Sequence, residues 1–191
     1  AKGNTLEEFK NVLHLEDMTL PEINESYQDL MSQMPDLDDE VDLAIANSIW
    51  HVDWANVLQE FIEMNKEYFD ARVSGLDFAD PASLDTINRW IEDKTNGKIK
   101  DMLDEIPSDA YMYLINAIYF NAMWKYEFDE DQTFTGSFYI SQEASIEVDF
   151  MRLDAKLNYA FTENYSAIEL PYGDSAFSMV VLLPHNNLSL N

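Results

Sequence analysis

The stretch LINAIYFNAMWKYEF, at Leu114–Phe128, is the most informative part of this chain of 191 residues. From Ala110 to Phe120 apolar or aromatic residues occupy both the odd-numbered and the even-numbered positions, which face opposite sides of a strand. A strand with apolar side chains on both faces is typical of the middle of a sheet that is covered on both sides. The sequence therefore predicts a buried strand from Ala110 to Phe120.

One polar residue interrupts this strand. Asn116 falls on the same face as Leu114 and Ile118, which is expected to be buried. A buried amide must find hydrogen-bond partners, because leaving it unpaired costs free energy. Two interpretations stay open: Asn116 is a structural residue that holds the sheet in register, or it is a polar latch where strands must separate.

The residues before this strand are mainly helical in pattern. Thr5 with Glu8, and Thr19 with Glu22, have the spacing of a helix capping box, and apolar residues at helical intervals follow each pair. Asp80 precedes a proline and predicts a further helix start, with Asp80 as the N-cap, and Asn96-Gly97 ends that helix. The other elements predicted in this half are a strand at 41–50, a helix at 54–68 and a short strand at 71–78.

The residues after the strand change to a β pattern, with short apolar segments separated by turn residues. Tyr172-Gly173-Asp174 predicts the hairpin turn between the last two strands. Helices first and strands later indicate the α+β class. We predict a single domain with a helical half at 1–109 and a strand-rich half at 110–191, and the strands after residue 120 are expected at 133–140, 146–152, 157–162, 167–170 and 177–183.

The composition excludes several classes of function. The chain has 37 acidic and 11 basic residues, a formal net charge of −26, which repels nucleic acid and anionic membranes. It has no cysteine, so disulfides and thiolate chemistry are excluded. No segment is long and apolar enough to cross a membrane, and the first residues do not resemble a signal peptide. We therefore expect no nucleic-acid partner and no membrane span.

No motif predicts catalysis, a cofactor or a metal. The three histidines, His14, His51 and His185, are not at metal-binding spacing and lie in no catalytic signature, so they are predicted to be ordinary surface or half-buried residues. Two acidic clusters lack the spacing and the turn glycine of an EF-hand, so solvated loops are predicted rather than calcium sites. These clusters are Asp36, Asp38, Asp39 and Glu40, and Glu127, Asp129, Glu130 and Asp131.

Five segments, in order and over nearly the whole chain, resemble the serpin family of serine protease inhibitors. Leu114–Phe128 is similar to the family's strand with N-A-I-Y-F followed by W-x-x-x-F. The other four segments are LAIANSIW at Leu43–Trp50, INRWIEDKTNGKIKDML at Ile87–Leu103, AIELPY at Ala167–Tyr172 and FSMVVLLP at Phe177–Pro184.

The resemblance implies a multi-sheet α+β fold, with helices packed around sheets A, B and C and about twice this length. It implies that 110–121 is strand 3 of sheet A and that 81–95 is the helix lying across that sheet. By position, Asn116 matches the polar residue of the shutter, where sheet A parts, and Trp124 matches the tryptophan of the breach, where the reactive loop first enters. The bond that a protease attacks would lie beyond Asn191.

The function implied by the resemblance is suicide inhibition of serine or cysteine proteases, in which the cleaved loop inserts into sheet A. The partners would be the protease and the remainder of the serpin chain, and the family default is an extracellular location. As a fragment without the reactive loop, this chain is expected to be inactive by itself. The alternatives are a non-inhibitory serpin acting as carrier or chaperone and, independently of the resemblance, a metal-dependent hydrolase.

Overall fold

The computed structural model describes residues 3–141 and 143–185, which divide into two compact units. The first unit comprises Ala1–Asp36 and Leu43–Phe120, and the second comprises Leu37–Asp42 and Asn121–Asn191. The prediction of one domain with halves at 1–109 and 110–191 stays a prediction. The elements are α1 (Asn4–Val12), α2 (Leu20–Gln33), β1 (Val41–Val52), α3 (Gln59–Phe69), β2 (Arg72–Leu76), α4 (Pro81–Lys94), β3 (Met112–Ala122), β4 (Phe134–Tyr139), β5 (Ser145–Phe150), β6 (Tyr159–Phe161), β7 (Tyr165–Pro171) and β8 (Ser178–Pro184).

Helix α2 begins as the sequence predicts. The Thr19 hydroxyl accepts a hydrogen bond from the Glu22 backbone N–H, and the Glu22 carboxylate accepts one from the Thr19 backbone N–H at 2.7 Å. The capping box is therefore confirmed, and it satisfies two N–H groups that a helix start leaves unpaired.

The capping box predicted at Thr5 is wrong. Helix α1 begins at Asn4, two residues before the start that a Thr5 cap predicts, and its N-cap is Gly3 with a φ of 59° and no side-chain hydrogen bond. Thr5 thus lies inside the helix, where its own backbone is helical. A capping residue needs an extended backbone before the first turn, which Thr5 does not have.

Helix α4 confirms its predicted start, whereas α3 begins later than predicted. The Asp80 carboxylate accepts a hydrogen bond from the Ala82 N–H at 2.9 Å, with Pro81 in the first turn. Helix α3 begins only at Gln59, so Trp54 precedes it. Trp54 instead meets Tyr111 edge-on, with the ring centroids 5.6 Å apart, and its side chain stays 75% exposed.

The sheet of the first unit has the strand order β2–β1–β3. Strands β1 and β2 are parallel, with Ser48 opposite Arg72, and α3 makes the crossover that parallel neighbours require. Helix α4 packs on one face of this sheet, with Ile87 and Trp50 both 0% exposed. The buried core of this layer consists of Trp50, Ile87, Trp90, Ile91 and Ala117.

The prediction that β3 is covered on both faces is wrong for the described residues. Ala117 is buried on the α4 side, between half-buried Tyr113 and Tyr119. On the opposite face Leu114 is 70% and Ile118 58% exposed. An apolar pattern indicates that both faces of a strand are suited to burial. Burial also requires a layer of residues packed on each face, and the described residues place none over Leu114 and Ile118.

The second unit contains a two-stranded antiparallel sheet, β4–β5, and a three-stranded antiparallel sheet, β6–β7–β8. All five strands predicted after residue 120 are confirmed, with ends that differ by one or two residues. The predicted hairpin turn is confirmed too, since Tyr172 donates its backbone N–H to the Phe177 carbonyl at 2.9 Å. The turn therefore lies directly between β7 and β8.

Candidate functional site

Asn116 lies in the middle of β3 and contacts the neighbouring strand through its side chain. Its amide Nδ2 donates a hydrogen bond to Oδ1 of Asn47 on β1, at 2.9 Å. Asn47 in turn donates from Nδ2 to the carbonyl of Phe69, the last residue of α3, at 2.8 Å. The two amides therefore connect β3, β1 and the C-terminal end of α3 within the first unit.

The expectation that Asn116 is buried is wrong in the described chain, because its face of β3 is exposed. The expectation of a hydrogen-bond partner is met by Asn47. Sequence reasoning missed Asn47 as a partner, although it is a polar residue within the predicted strand ANSIW. The bond joins β3 to β1 through their side chains, as either interpretation of Asn116 requires, so both stay open.

An open cleft of about 180 Å³ lies beside these two asparagines. Its wall includes Leu114 of β3, Phe69 of α3 and Asn65. Asn65 directs its own amide to the Phe61 carbonyl within α3, at 2.8 Å. The cleft wall therefore combines apolar side chains with the hydrogen-bonded pair Asn47 and Asn116.

Trp124 lies just after β3, in the second unit, and packs against the β7–β8 turn. Its ring stacks on Tyr172 with the centroids 4.3 Å apart and an interplanar angle of 14°, and Phe128 meets it edge-on at 6.1 Å. The backbones of Trp124 and Tyr172 also form an antiparallel bridge. Asn116 and Trp124 belong to different units, and each has its own set of partners.

The backbone on either side of Trp124 reinforces this contact. Gly173 donates its N–H to the Met123 carbonyl at 3.0 Å, and Lys125 donates its N–H to the Pro171 carbonyl at 2.9 Å. The Lys125 ammonium donates to the Ser175 hydroxyl at 2.7 Å. Residues 123–125 are therefore held to the end of the hairpin by an isolated β-bridge and its flanking hydrogen bonds.

Asp38 also contacts the β7–β8 turn, and sequence reasoning did not predict this contact. Its side chain is only 4% exposed, so the prediction of a solvated loop is wrong for this residue. The carboxylate accepts hydrogen bonds from the backbone N–H groups of Asp174 at 2.8 Å and Ala176 at 3.4 Å. No local motif marks this role, because the partners lie more than 130 residues away along the chain.

The remaining polar candidates have ordinary structural partners. His185 lies 2.7 Å from the Ser166 hydroxyl through Nε2, and Asp129 caps a short 3₁₀ helix by accepting from the Asp131 N–H. A hydrogen bond from Asn158, followed by one from Ser178, lowers the pKa of Glu169 on β7. Within residues 3–141 and 143–185, no three histidine or acidic side chains are grouped closely enough to hold a metal ion.

The family follows from comparison with known proteins. Residues 1–191 match the family model described as Serpin (serine protease inhibitor). The chain belongs to the serpin family. That description is of protein inhibitors of proteases and not of enzymes, and no helix among the described residues is long and apolar enough to span a bilayer.

Related sequences and structures cover this serpin chain almost completely. An uncharacterized serpin-like protein of Methanosarcina acetivorans is 36% identical over 98% of the chain, and human Serpin B3 is 30% identical over 97%. The native crystal structure of the thermophilic serpin tengpin matches 100% of the chain with a TM-score of 0.87 and 29% identity. Ovalbumin from emu matches 96% with a TM-score of 0.87 and 27% identity.

The comparisons also show how much of a serpin these residues represent. The chain spans 45% of the archaeal relative and 53% of human Serpin B3. It spans 48% of the tengpin chain in the native crystal structure. The fold described above is therefore the serpin fold in part, and it is the α+β fold that the sequence predicts.

Proposed function

We propose that the full-length protein carrying this chain inhibits serine endopeptidases by the loop-inserting suicide mechanism. The observation that supports it is the family match over residues 1–191, combined with the position of β3 at the edge of its sheet. In the described residues β3 is the last strand in the order β2–β1–β3, so an added strand would pair with β3 on the side away from β1. The cleaved reactive loop would supply the new strand.

The two candidate residues have separate roles in this proposal. Asn116 is the shutter residue, and its bond to Asn47 keeps β3 on β1, so that these strands move together when the sheet parts. Trp124 is the breach residue, held on Tyr172 at the end of β3 where the loop would begin to insert. Neither residue contacts a protease, so both affect the conformational change and not recognition.

The test uses the full-length protein, incubated with a panel of serine and cysteine proteases and analysed on a denaturing gel. We expect a band near the summed masses that survives boiling, because the acyl-enzyme is covalent. The control is the same protease with its active site blocked beforehand, which should give no band. Loop cleavage without any such band across the panel would reject inhibition and favour the alternative of a non-inhibitory carrier or chaperone.

Two further parts of the proposal have their own tests. The 191-residue chain alone is expected to leave protease activity unchanged, because the reactive bond would lie outside it, and stoichiometric loss of activity would contradict this. We also propose that the protein acts outside the cell, as serpins do by default. Fractionation of the source organism with an antibody to this chain would test the location.

A further inference from the structure

We propose that Asp38 is a positioning residue for Trp124: it holds the β7–β8 turn in the shape that receives the tryptophan, and so controls how efficiently the conformational change is completed. The second part rests on the proposed function. Asp38, the turn and Trp124 all lie in the second unit.

The chemistry of Asp38 is that of a buried anion bound by backbone amides. Its Oδ2 accepts from the N–H groups of Asp174 and Ala176, and its Oδ1 accepts from the Glu40 N–H at 3.0 Å. Among the described residues, no lysine or arginine forms an ion pair with it. A buried carboxylate is costly unless it is hydrogen-bonded, so the turn amides are what make its burial tolerable.

The turn contains two residues with positive φ angles, Gly173 and Ser175. Ser175 has a φ of 83°, a region that residues with a side chain seldom adopt. Gly173 has a φ of 39°, and a Cβ there would lie 2.8 Å from Oδ1 of Asp38, so only glycine permits this close approach. These conformations direct the amides of Asp174 and Ala176 towards one oxygen, and that oxygen stabilises them.

The same turn carries Trp124 on its other side. The ring of Tyr172 stacks on Trp124, and the Gly173 N–H donates to the Met123 carbonyl. The Ser175 hydroxyl accepts a hydrogen bond from the Lys125 ammonium. The backbone carbonyl of Asp38 also accepts the N–H of Val41, the first residue of β1, at 3.0 Å. The turn therefore binds the segment that follows β3, and Asp38 links the residue that begins β1 to the turn, through its backbone carbonyl on one side and its carboxylate on the other.

The experiment compares Asp38→Ala and Asp38→Asn with Asp39→Asn in the full-length protein. Asp39 is exposed, so its substitution removes the same charge without touching the turn. The first measurement is hydrogen exchange at the amides of Asp174 and Ala176. We expect exchange to be faster by about tenfold or more in Asp38→Ala, less so in Asp38→Asn, which keeps one acceptor oxygen, and unchanged in Asp39→Asn.

The second measurement is the stoichiometry of inhibition, the number of inhibitor molecules consumed for each protease molecule trapped. We expect Asp38→Ala to raise this ratio by about threefold or more at unchanged protease specificity, with Asp38→Asn in between and Asp39→Asn at the wild-type value. Unchanged amide exchange in Asp38→Ala would overturn the proposal. Faster exchange with unchanged stoichiometry would overturn its functional part.

Failure of the proposed function gives a different result. In that case the wild-type protein would form no covalent complex with any protease, while the exchange measurement would still report whether Asp38 holds the turn. If Asp38→Ala does not fold, Asp38→Asn carries the same comparison, because it preserves the size and one acceptor of the side chain.

Discussion

The ring of Trp124 lies parallel to the ring of Tyr172, at a centroid distance of 4.3 Å, while the two backbones pair as a β-bridge. Trp124 follows β3 and Tyr172 follows β7, so the stacked pair joins the segments after these two strands. Offset stacking of aromatic rings contributes about 1 kcal/mol beyond the area that it buries.

Replacing Tyr172 with leucine should change the environment of Trp124 and lower the free energy of unfolding by about 1 kcal/mol or more. Because the chain has four tryptophans, the emission of Trp124 is obtained as the difference between each protein and its Trp124→Phe counterpart. Tyr172→Phe keeps the ring and is the matched control. Equal Trp124 emission in the leucine and phenylalanine variants would show that the stack is unimportant.

The bond between Asn116 and Asn47 should appear as a coupling energy in a double-mutant cycle. With alanine at each position, we expect a coupling of about 0.5–1.5 kcal/mol, the usual contribution of one hydrogen bond, measured by urea denaturation. Asn116 paired with Asn158 is the control cycle, because Asn158 bonds to Glu169 and should show no coupling. A coupling near zero for Asn47 would mean that the two strands do not need this bond.

The capping box of α2 predicts a specific pH dependence. Hydrogen bonds from the Thr19 side chain, then from its backbone, lower the pKa of Glu22 from the usual 4.5. Since the folded pKa is below the unfolded one, this stabilisation is present above pH 4.5 and is lost as the pH falls through the folded pKa.

Thr19→Ala should therefore raise the pKa of Glu22 towards its usual value, as measured by NMR titration of the carboxyl carbon. Thr5→Ala is the matched control, because Thr5 forms no cap on α1 and its substitution should leave Glu22 unaffected. The explanation would fail if the Glu22 pKa did not respond to the loss of the Thr19 hydroxyl.

Ile87 should be the most sensitive position of α4. It is fully buried against Trp50, so Ile87→Ala leaves a cavity and is expected to lower the free energy of unfolding by about 2–5 kcal/mol. Asp85 is exposed on the same helix, and Asp85→Ala should change stability by no more than about 0.5 kcal/mol. Chemical denaturation of both variants checks the contrast, and similar losses would contradict the packing described here.

Much of the fold follows from local sequence patterns. Thr19 and Asp80 start their helices because a side-chain oxygen three or fewer residues away satisfies the free N–H groups of the first turn. The same pattern at Thr5 fails, because the spacing of a capping box does not determine which residue takes the extended backbone of an N-cap. Segments that alternate between apolar and polar residues, or that are apolar at every position, likewise indicate strands, because successive side chains on a strand point to opposite faces.

The site depended on contacts that no local pattern contains. The sequence alone singles out Asn116 and Trp124 through the family resemblance, but their partners Asn47 and Tyr172 are set by strand pairing between distant segments. Asp38 is the clearest case, because its acidic neighbours predict a solvated loop while the folded chain buries it among turn amides. The sequence by itself thus determined where most helices and strands begin, because those signals act within a few residues. Only the tertiary structure decided which polar groups are buried and paired, because that depends on which distant segments of the chain lie beside them.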